Sequence, residues 1–303
     1  MELFQAEEKI PYSSTVVALG NFDGLHIAHM KIIHRAIDHA RATGAKSGIL
    51  LFEDHSESVI GNREVSLITP NEAKLELLAR EHPDFVYLKK FTPEFMHLTP
   101  RQFVGRLVER LHIKAVCVGY DYRFGYRAEG DVEALRRLGG EFGFEVFVTE
   151  AVHLEGHIVS STYIRELIHR GEMRRAEAFL GRRFCVEGRV VHGLKNGRKM
   201  GFPTANVDYD PFMAIPKEGV YAGVSYVGGG RYKSVVNVGK NPTFDAQKTT
   251  IESHILDFDQ DIYGEYIRIS FCERLRGDQR FDSMQALSEQ IRRDKESVMQ
   301  MDL

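Results

Sequence analysis

From residue 15 to residue 150, short apolar runs alternate with stretches of helical periodicity, and this alternation limits the possible folds more than any other feature. The runs "TVVALG" (15–20), "SGILLF" (47–52), "DFVYL" (84–88), "KAVCVG" (114–119) and "FEVFVTE" (144–150) have the length of strands. Between them, Ile27, Met30, Ile33, Ile37 and Ala40 recur at helical spacing, and "EAKLELLAREH" (72–82), "TPRQFVGRLVERL" (99–111) and "VEALRRLGGEF" (132–142) repeat the pattern. Strand and helix in this rhythm imply an α/β domain with a parallel sheet covered on both faces. Two short helices, "STYIRELIHRG" and "MRRAEAFLG", close it near residue 183. From Phe184 the texture changes to β-rich runs split by glycine, proline and asparagine: "FCVEGRVVHG", "GVYAGVSYVGGGRYKSVVNVG", "TIESHILDF" and "YIRISFCERL". Such spacing predicts a small antiparallel barrel. An amphipathic helix follows, in which Met284, Leu287, Ile291 and Val298 are spaced to pack on the barrel. The expected domains are therefore 1–183 and 184–303.

The length of 303 residues suits two such domains. Forty basic against 43 acidic side chains leave a net charge of -3, which supplies no basic field to attract nucleic acid. Cys117, Cys185 and Cys272 lie far apart without C-x-x-C spacing and read as free thiols, which fits a reducing compartment. The N-terminus "MELFQAEEKIPYSS" lacks the pattern of a secretory leader, and no apolar stretch approaches the ~20 residues that span a bilayer. The expected location is the cytosol.

"GNFDGLHIAH" (20–29) follows the first predicted strand and opens the first predicted helix. Gly20 and Gly24 allow close backbone approach there, and a helix start presents unpaired N–H groups to an anion. His26 and His29, at i and i+3, share a helix face from which both can donate to phosphate oxygens. A zinc site needs more ligands than this pair, and the remaining histidines form no matching second cluster. Two ordinary solvated histidines of a first turn, as His34 and His39 are taken to be, are the other reading. In "VSSTYIRELI" (159–168), Ser161 or Thr162 can be a plain helix cap. Arg165, one turn further, is positioned to bind a phosphate bidentately.

Taken together, "GNFDGLHIAH", "VGYDYRFGYRAEGD" (118–131) and "VSSTYIR" resemble the adenylyltransferase half of the bacterial bifunctional riboflavin kinase/FMN adenylyltransferases, the FAD synthetases. "HGLKNGRKMGFPTANV" (192–207), "GVYAGV" (219–224), "VVNVGKNPTF" (235–244) and "IESHILDFDQDIYG" (251–264) resemble the kinase half, in family order. The resemblance implies a Rossmann-like nucleotidylyltransferase domain followed by a riboflavin kinase β-barrel with a C-terminal helix. Riboflavin and ATP would give FMN, and FMN and ATP would give FAD, with Mg2+ accompanying the nucleotide. His26 and His29 would handle the ATP phosphates, with Ser161, Thr162 and Arg165 closing on them. Gly20, Phe22, Asp23, Gly24, Asp121 and Phe124 would line the nucleotide and flavin sites, although an aromatic at a strand end is commonly a core residue. In the kinase half, Glu252 matches the family's catalytic base, and Thr204 and Asn206 match its magnesium- and nucleotide-binding pair. Gly193, Gly201 and Pro203 would belong to the nucleotide flap. Without the resemblance, Glu252 is an exposed strand carboxylate and "PTAN" a simple turn.

"GLKNGRK" is not a P-loop, since three residues separate Gly193 from Gly197 and Met200 follows Lys199. Two departures from the family stand out. Ala28 replaces the usual glycine before the second histidine, and "FEDHS" (52–56) lacks both prolines of the usual F-x-P-H-P. Competing readings are a nucleotidylyltransferase for another substrate, which would not need the barrel, and a flavin- or RNA-binding regulator with decayed sites. Oligomeric state is not legible in the sequence.

Overall fold

A computed structural model describes residues 1–5, 8–53, 66–193, 201–240 and 249–303. The chain folds into two compact units, Met1–Val65 with Thr69–Ser160, and Ser66–Ile68 with Ser161–Leu303.

The first unit carries a six-stranded parallel sheet: β1 (Glu2–Gln5), β2 (Thr15–Leu19), β3 (Lys46–Phe52), β4 (Phe85–Lys89), β5 (Ile113–Gly119) and β6 (Glu145–Thr149), in the order β1-β4-β3-β2-β5-β6. Alternate residues of the central strands feed two cores. Val16, Ala18, Ile49 and Leu51 pack beneath helix α1 (Ile27–Thr43), while Val17, Leu19, Leu50 and Val116 pack with Leu107 and Leu111 of the helix Pro100–Leu111. The buried face of α1 is Ile32, Ile33, Ala36, Ile37 and Ala40, so the expected stripe slips: Ile27 and Met30 are only partly buried. Gly44, at φ 69°, ends the helix in the left-handed conformation that glycine adopts without strain. β1 was not among the predicted strands; its acidic, four-residue edge hides the pattern. The position that matters most is β2, which has β3 on one side and β5 on the other. The order of the sheet reverses there, and a ligand crevice opens beyond the carboxyl ends of such strands.

The second unit is a closed barrel in the order β10-β13-β12-β11-β14-β9, built from β9 (Phe184–Val191), β10 (Ala205–Tyr209), β11 (Gly219–Val227), β12 (Gly230–Lys240), β13 (Thr249–Ile255) and β14 (Tyr266–Arg276). A small hairpin, β7 (His153–Leu154) with β8 (His157–Ile158), lies in the first unit. β11 and β12 are joined by Gly228 and Gly229 alone, both at positive φ, which a two-residue hairpin turn of this hand requires. The helices Ser161–Arg170 and Met173–Leu180 form as expected. They belong to the barrel's unit, through contacts such as the Arg174–Glu273 ion pair and the Lys217 N–H donated to the Ile168 carbonyl at 3.3 Å.

The C-terminal helix, Met284–Gln300, is held differently from its apolar spacing. Val298 is buried among Val220, Ala222, Val235 and Leu256, but Met284 is 58% exposed and Leu287 and Ile291 are half-buried. The second anchor is ionic: Asp294, 5% exposed, accepts from Arg276 Nη2 at 2.9 Å and Nε at 3.0 Å and from Gln290 Nε2 at 2.9 Å. Among the described residues no helix is long and apolar enough to cross a membrane.

Candidate active sites

In the first unit, the loop leaving β2 at the switch point is tightly wound. Phe22, Gly24 and Leu25 all have positive φ, at 48°, 83° and 41°. Non-glycine residues rarely adopt this conformation, and surrounding structure must hold them there. Asp23, 1% exposed, accepts the backbone N–H of Thr69 at 3.2 Å, and Phe22 is fully buried. The ring of Phe22 lies against Gly20, where a Cβ would stand 3.1 Å from it. Gly20 therefore makes room for Phe22, and Phe22 supports His29 edge-on at 5.3 Å.

His26 is 3% exposed and occupies the cap position of α1. Its Nδ1 accepts the backbone N–H of His29 at 3.2 Å. That bond assigns the tautomer: with Nδ1 an acceptor, the neutral ring carries its proton on Nε2 and is a donor there. The two imidazoles stack with centroids 3.5 Å apart, 16° from parallel. The pair thus forms one plate at the N-terminus of α1. Among the described residues no three His, Cys, Asp or Glu side chains gather as a metal-binding group, so the zinc reading gains no further ligand. His34 instead meets Glu81 at 2.7 Å, and His39 packs on Phe147 at 4.5 Å.

Asp121 follows β5, exposed, on the other side of the switch point. Phe124 is a core residue, 5% exposed and packed on Phe103 and Tyr122 at 5.4 and 5.7 Å. The helix Ser161–Arg170 begins at Ser161, so Ser161 and Thr162 are the first two residues of its first turn rather than its cap. Arg165 donates from Nε to the Ser66 carbonyl at 2.8 Å. These three residues belong to the second unit, and the histidine pair to the first. Beyond Glu53, the "FEDHS" departure lies outside the described residues, and Ala28 takes its place in the first turn of α1.

In the second unit, register brings several of the sequence-predicted residues together. Glu252 of β13 stands opposite Asn206 on β10 and opposite Asn237 on β12. Alternation puts Ile251, Ser253 and Ile255 inside the barrel and Glu252 on its outer face. Thr204 Oγ1 donates to Glu252 Oε2 at 3.1 Å. A cavity of about 370 Å³ opens over these side chains, with Lys240, Asp259 and Asp261 also in its wall. Gly193 carries Asn206 against its backbone: an added Cβ would stand 2.3 Å from Asn206 Nδ2. Gly201, at φ 81°, turns the chain into Pro203, whose carbonyl accepts from His254 Nδ1 at 2.8 Å. The remainder of "GLKNGRK" after Gly193, and "NPTF" after Lys240, lie outside the described residues. Sequence reasoning missed Asn237, His254 and Lys240. Of these, only His254 left a signal, being two residues from Glu252 on a strand and so on the same face.

The two units together define an enzyme that joins a nucleotidyl-transfer fold to a small phosphotransferase barrel. A family model described as FAD synthetase matches residues 9–163, and one described as riboflavin kinase matches residues 180–301. The chain belongs to the family of bifunctional riboflavin kinase/FMN adenylyltransferases. The members from Listeria monocytogenes, Bacillus subtilis and Escherichia coli K12 are 36%, 33% and 35% identical to it, over 93%, 95% and 94% of this chain and 91%, 92% and 92% of theirs. A crystal structure described as a macrolide-efflux protein from Streptococcus pneumoniae matches with a TM-score of 0.91 at 30% identity, each chain covered over 100% of its length. Efflux is a description of that protein.

Proposed function

We propose that the two reactions of the family run in this chain at two separate sites, assigned to the residues described above. The chain makes FAD from riboflavin in two ATP-dependent steps, phosphorylation to FMN and adenylylation of FMN with release of pyrophosphate. The observation that carries the assignment is the alignment of Asn206, Glu252 and Asn237 across three neighbouring strands beneath one cavity, with Thr204 hydrogen-bonded to Glu252.

For the kinase step, the ribityl hydroxyl is a neutral nucleophile, so a base is useful, and Glu252 takes its proton. The donor set suits Mg2+: a hydroxyl, an amide oxygen and a carboxylate are hard oxygen ligands beside a cavity sized for substrate phosphates. Thr204 and Asn206 would hold the ion, which when bound neutralises phosphate charge. Gly193, Gly201 and Pro203 shape the backbone that seats these two residues.

For the adenylylation step, the nucleophile is the FMN phosphate, whose second pKa is about 6, so no general base is needed. The task is to hold two anions and stabilise charge on the transferring phosphorus and departing pyrophosphate. His26, donating from Nε2, and His29 serve as those donors, with Gly24 and the start of α1 beneath them. Gly20, Phe22 and Asp23 hold the loop in shape. Asp121 acts on the nucleotide side and Phe124 supports from the core, while Ser161, Thr162 and Arg165 keep the phosphate-binding role that the resemblance of their motif implies. The functional boundary is accordingly placed at 183/184, although the helices from Ser161 pack with the barrel's unit. Three free thiols support a cytoplasmic setting.

The test is direct. Purified protein incubated with riboflavin, ATP and Mg2+ should yield FMN and then FAD on chromatography; neither product appearing would overturn the assignment.

A further inference from the structure

β10 and β13 are paired at only two positions, Ala205 with Ser253 and Asn206 with Glu252. One step further along this register Thr204 would face His254, but the ladder has already ended. Side chains continue the attachment. Thr204 Oγ1 reaches Glu252 at 3.1 Å, and His254 reaches the Pro203 carbonyl at 2.8 Å. A carbonyl only accepts, so His254 Nδ1 carries the proton and donates. The same ring meets Phe202 edge-on at 5.7 Å. The turn that delivers Thr204 and Asn206 to the kinase cavity is therefore fastened to β13 by one imidazole, two residues from Glu252.

We propose that His254 is a positioning residue for phosphoryl transfer: by holding the Pro203 carbonyl and the ring of Phe202, it keeps Thr204 and Asn206 in place against Glu252. The inference rests on the reading of those three residues as the kinase site. The cost of losing the bond falls on geometry, since displacing a reacting group by about 1 Å can slow a reaction about 10²-fold.

The experiment uses the full chain with three substitutions. His254→Phe keeps the ring's packing and removes the donor. His254→Asn offers an N–H close to the position of Nδ1, and Glu252→Gln tests the site itself. Riboflavin kinase kcat and KM are measured together with hydrogen exchange at the Ala205 and Asn206 amides. His254→Phe should lower kcat roughly 10²-fold, leave the KM for riboflavin within about twofold, and speed exchange at both amides about tenfold. His254→Asn should recover most of the loss in both readouts. Wild-type kcat and exchange in His254→Phe would overturn the inference, as would an Asn variant no better than Phe. If His254→Phe does not fold, the Asn variant decides: near-wild-type kcat and exchange support the bond, and loss of both overturns it. Full kinase activity in Glu252→Gln would instead overturn the site reading on which the inference rests.

Discussion

Gly193 and Gly201 both precede Thr204 and Asn206, yet they are glycines for different reasons. At Gly201 the backbone is left-handed and, among the described residues, nothing comes within 4 Å of an added Cβ, so alanine there costs about 1 kcal/mol of backbone strain. At Gly193 a methyl group would displace the Asn206 amide. Gly193→Ala should therefore lower the rate of FMN formation by roughly tenfold or more, the scale of a misplaced site group. It should leave conversion of FMN to FAD and the Tm near wild type, which separate assays of the two half-reactions and a thermal melt would show. This role was not legible in "HGLKNG", because the partner, Asn206, arrives from a different strand. The histidine pair was partly legible. Spacing placed His26 and His29 on one face of a helix start, but the cap bond that fixes the His26 tautomer depends on backbone angles no residue pattern encodes. Phe22 shows the same limit: in the motif it reads as a site residue, and in the fold it is a buried support beneath His29.

The helices and strands of the first unit were largely visible because a buried parallel sheet leaves continuous apolar runs. β1 was hidden by its shortness and its edge position, and β10 because it begins inside "PTAN", at Ala205, a stretch that propensity alone assigns to a turn. The C-terminal helix shows what apolar spacing misses. Its period marked Met284, Leu287, Ile291 and Val298, of which Val298 is fully buried, but the second buried attachment is Asp294 to Arg276, a polar pair that no hydrophobic stripe reveals. Removing one partner of a buried ion pair leaves the other's charge uncompensated, at a cost of about 3–5 kcal/mol. Arg276 keeps 19% side-chain exposure, which places the expected loss at the lower end, about 3 kcal/mol for Asp294→Ala. Urea unfolding of the full chain followed by circular dichroism measures it. A midpoint unchanged from wild type would mean that Val298 and its apolar neighbours hold the helix alone.

Two motif sets match the two half-reactions of the family, whose members match this chain over nearly their whole length, but the packed units divide it differently: Ser161, Thr162 and Arg165 of the first set lie in the second unit. The change of texture at Phe184 marks where barrel strands begin, but packing divides the chain earlier, at Ser161. Helical periodicity cannot reveal that difference, since it shows that a helix has a buried face and not which partner buries it. The net charge of -3 places no general anion-attracting field over either site, so local donors carry phosphate recognition. The two sites should consequently fail independently. The decisive measurement is a crossed assay of Glu252→Gln and His29→Ala, each given riboflavin or FMN with ATP and Mg2+. Glu252→Gln should form no FMN from riboflavin yet convert supplied FMN to FAD at the wild-type rate. His29→Ala should form FMN normally and slow FAD formation by about 10²–10³-fold, the usual cost of one transition-state donor. Loss of both activities in each folded variant would contradict two separate sites.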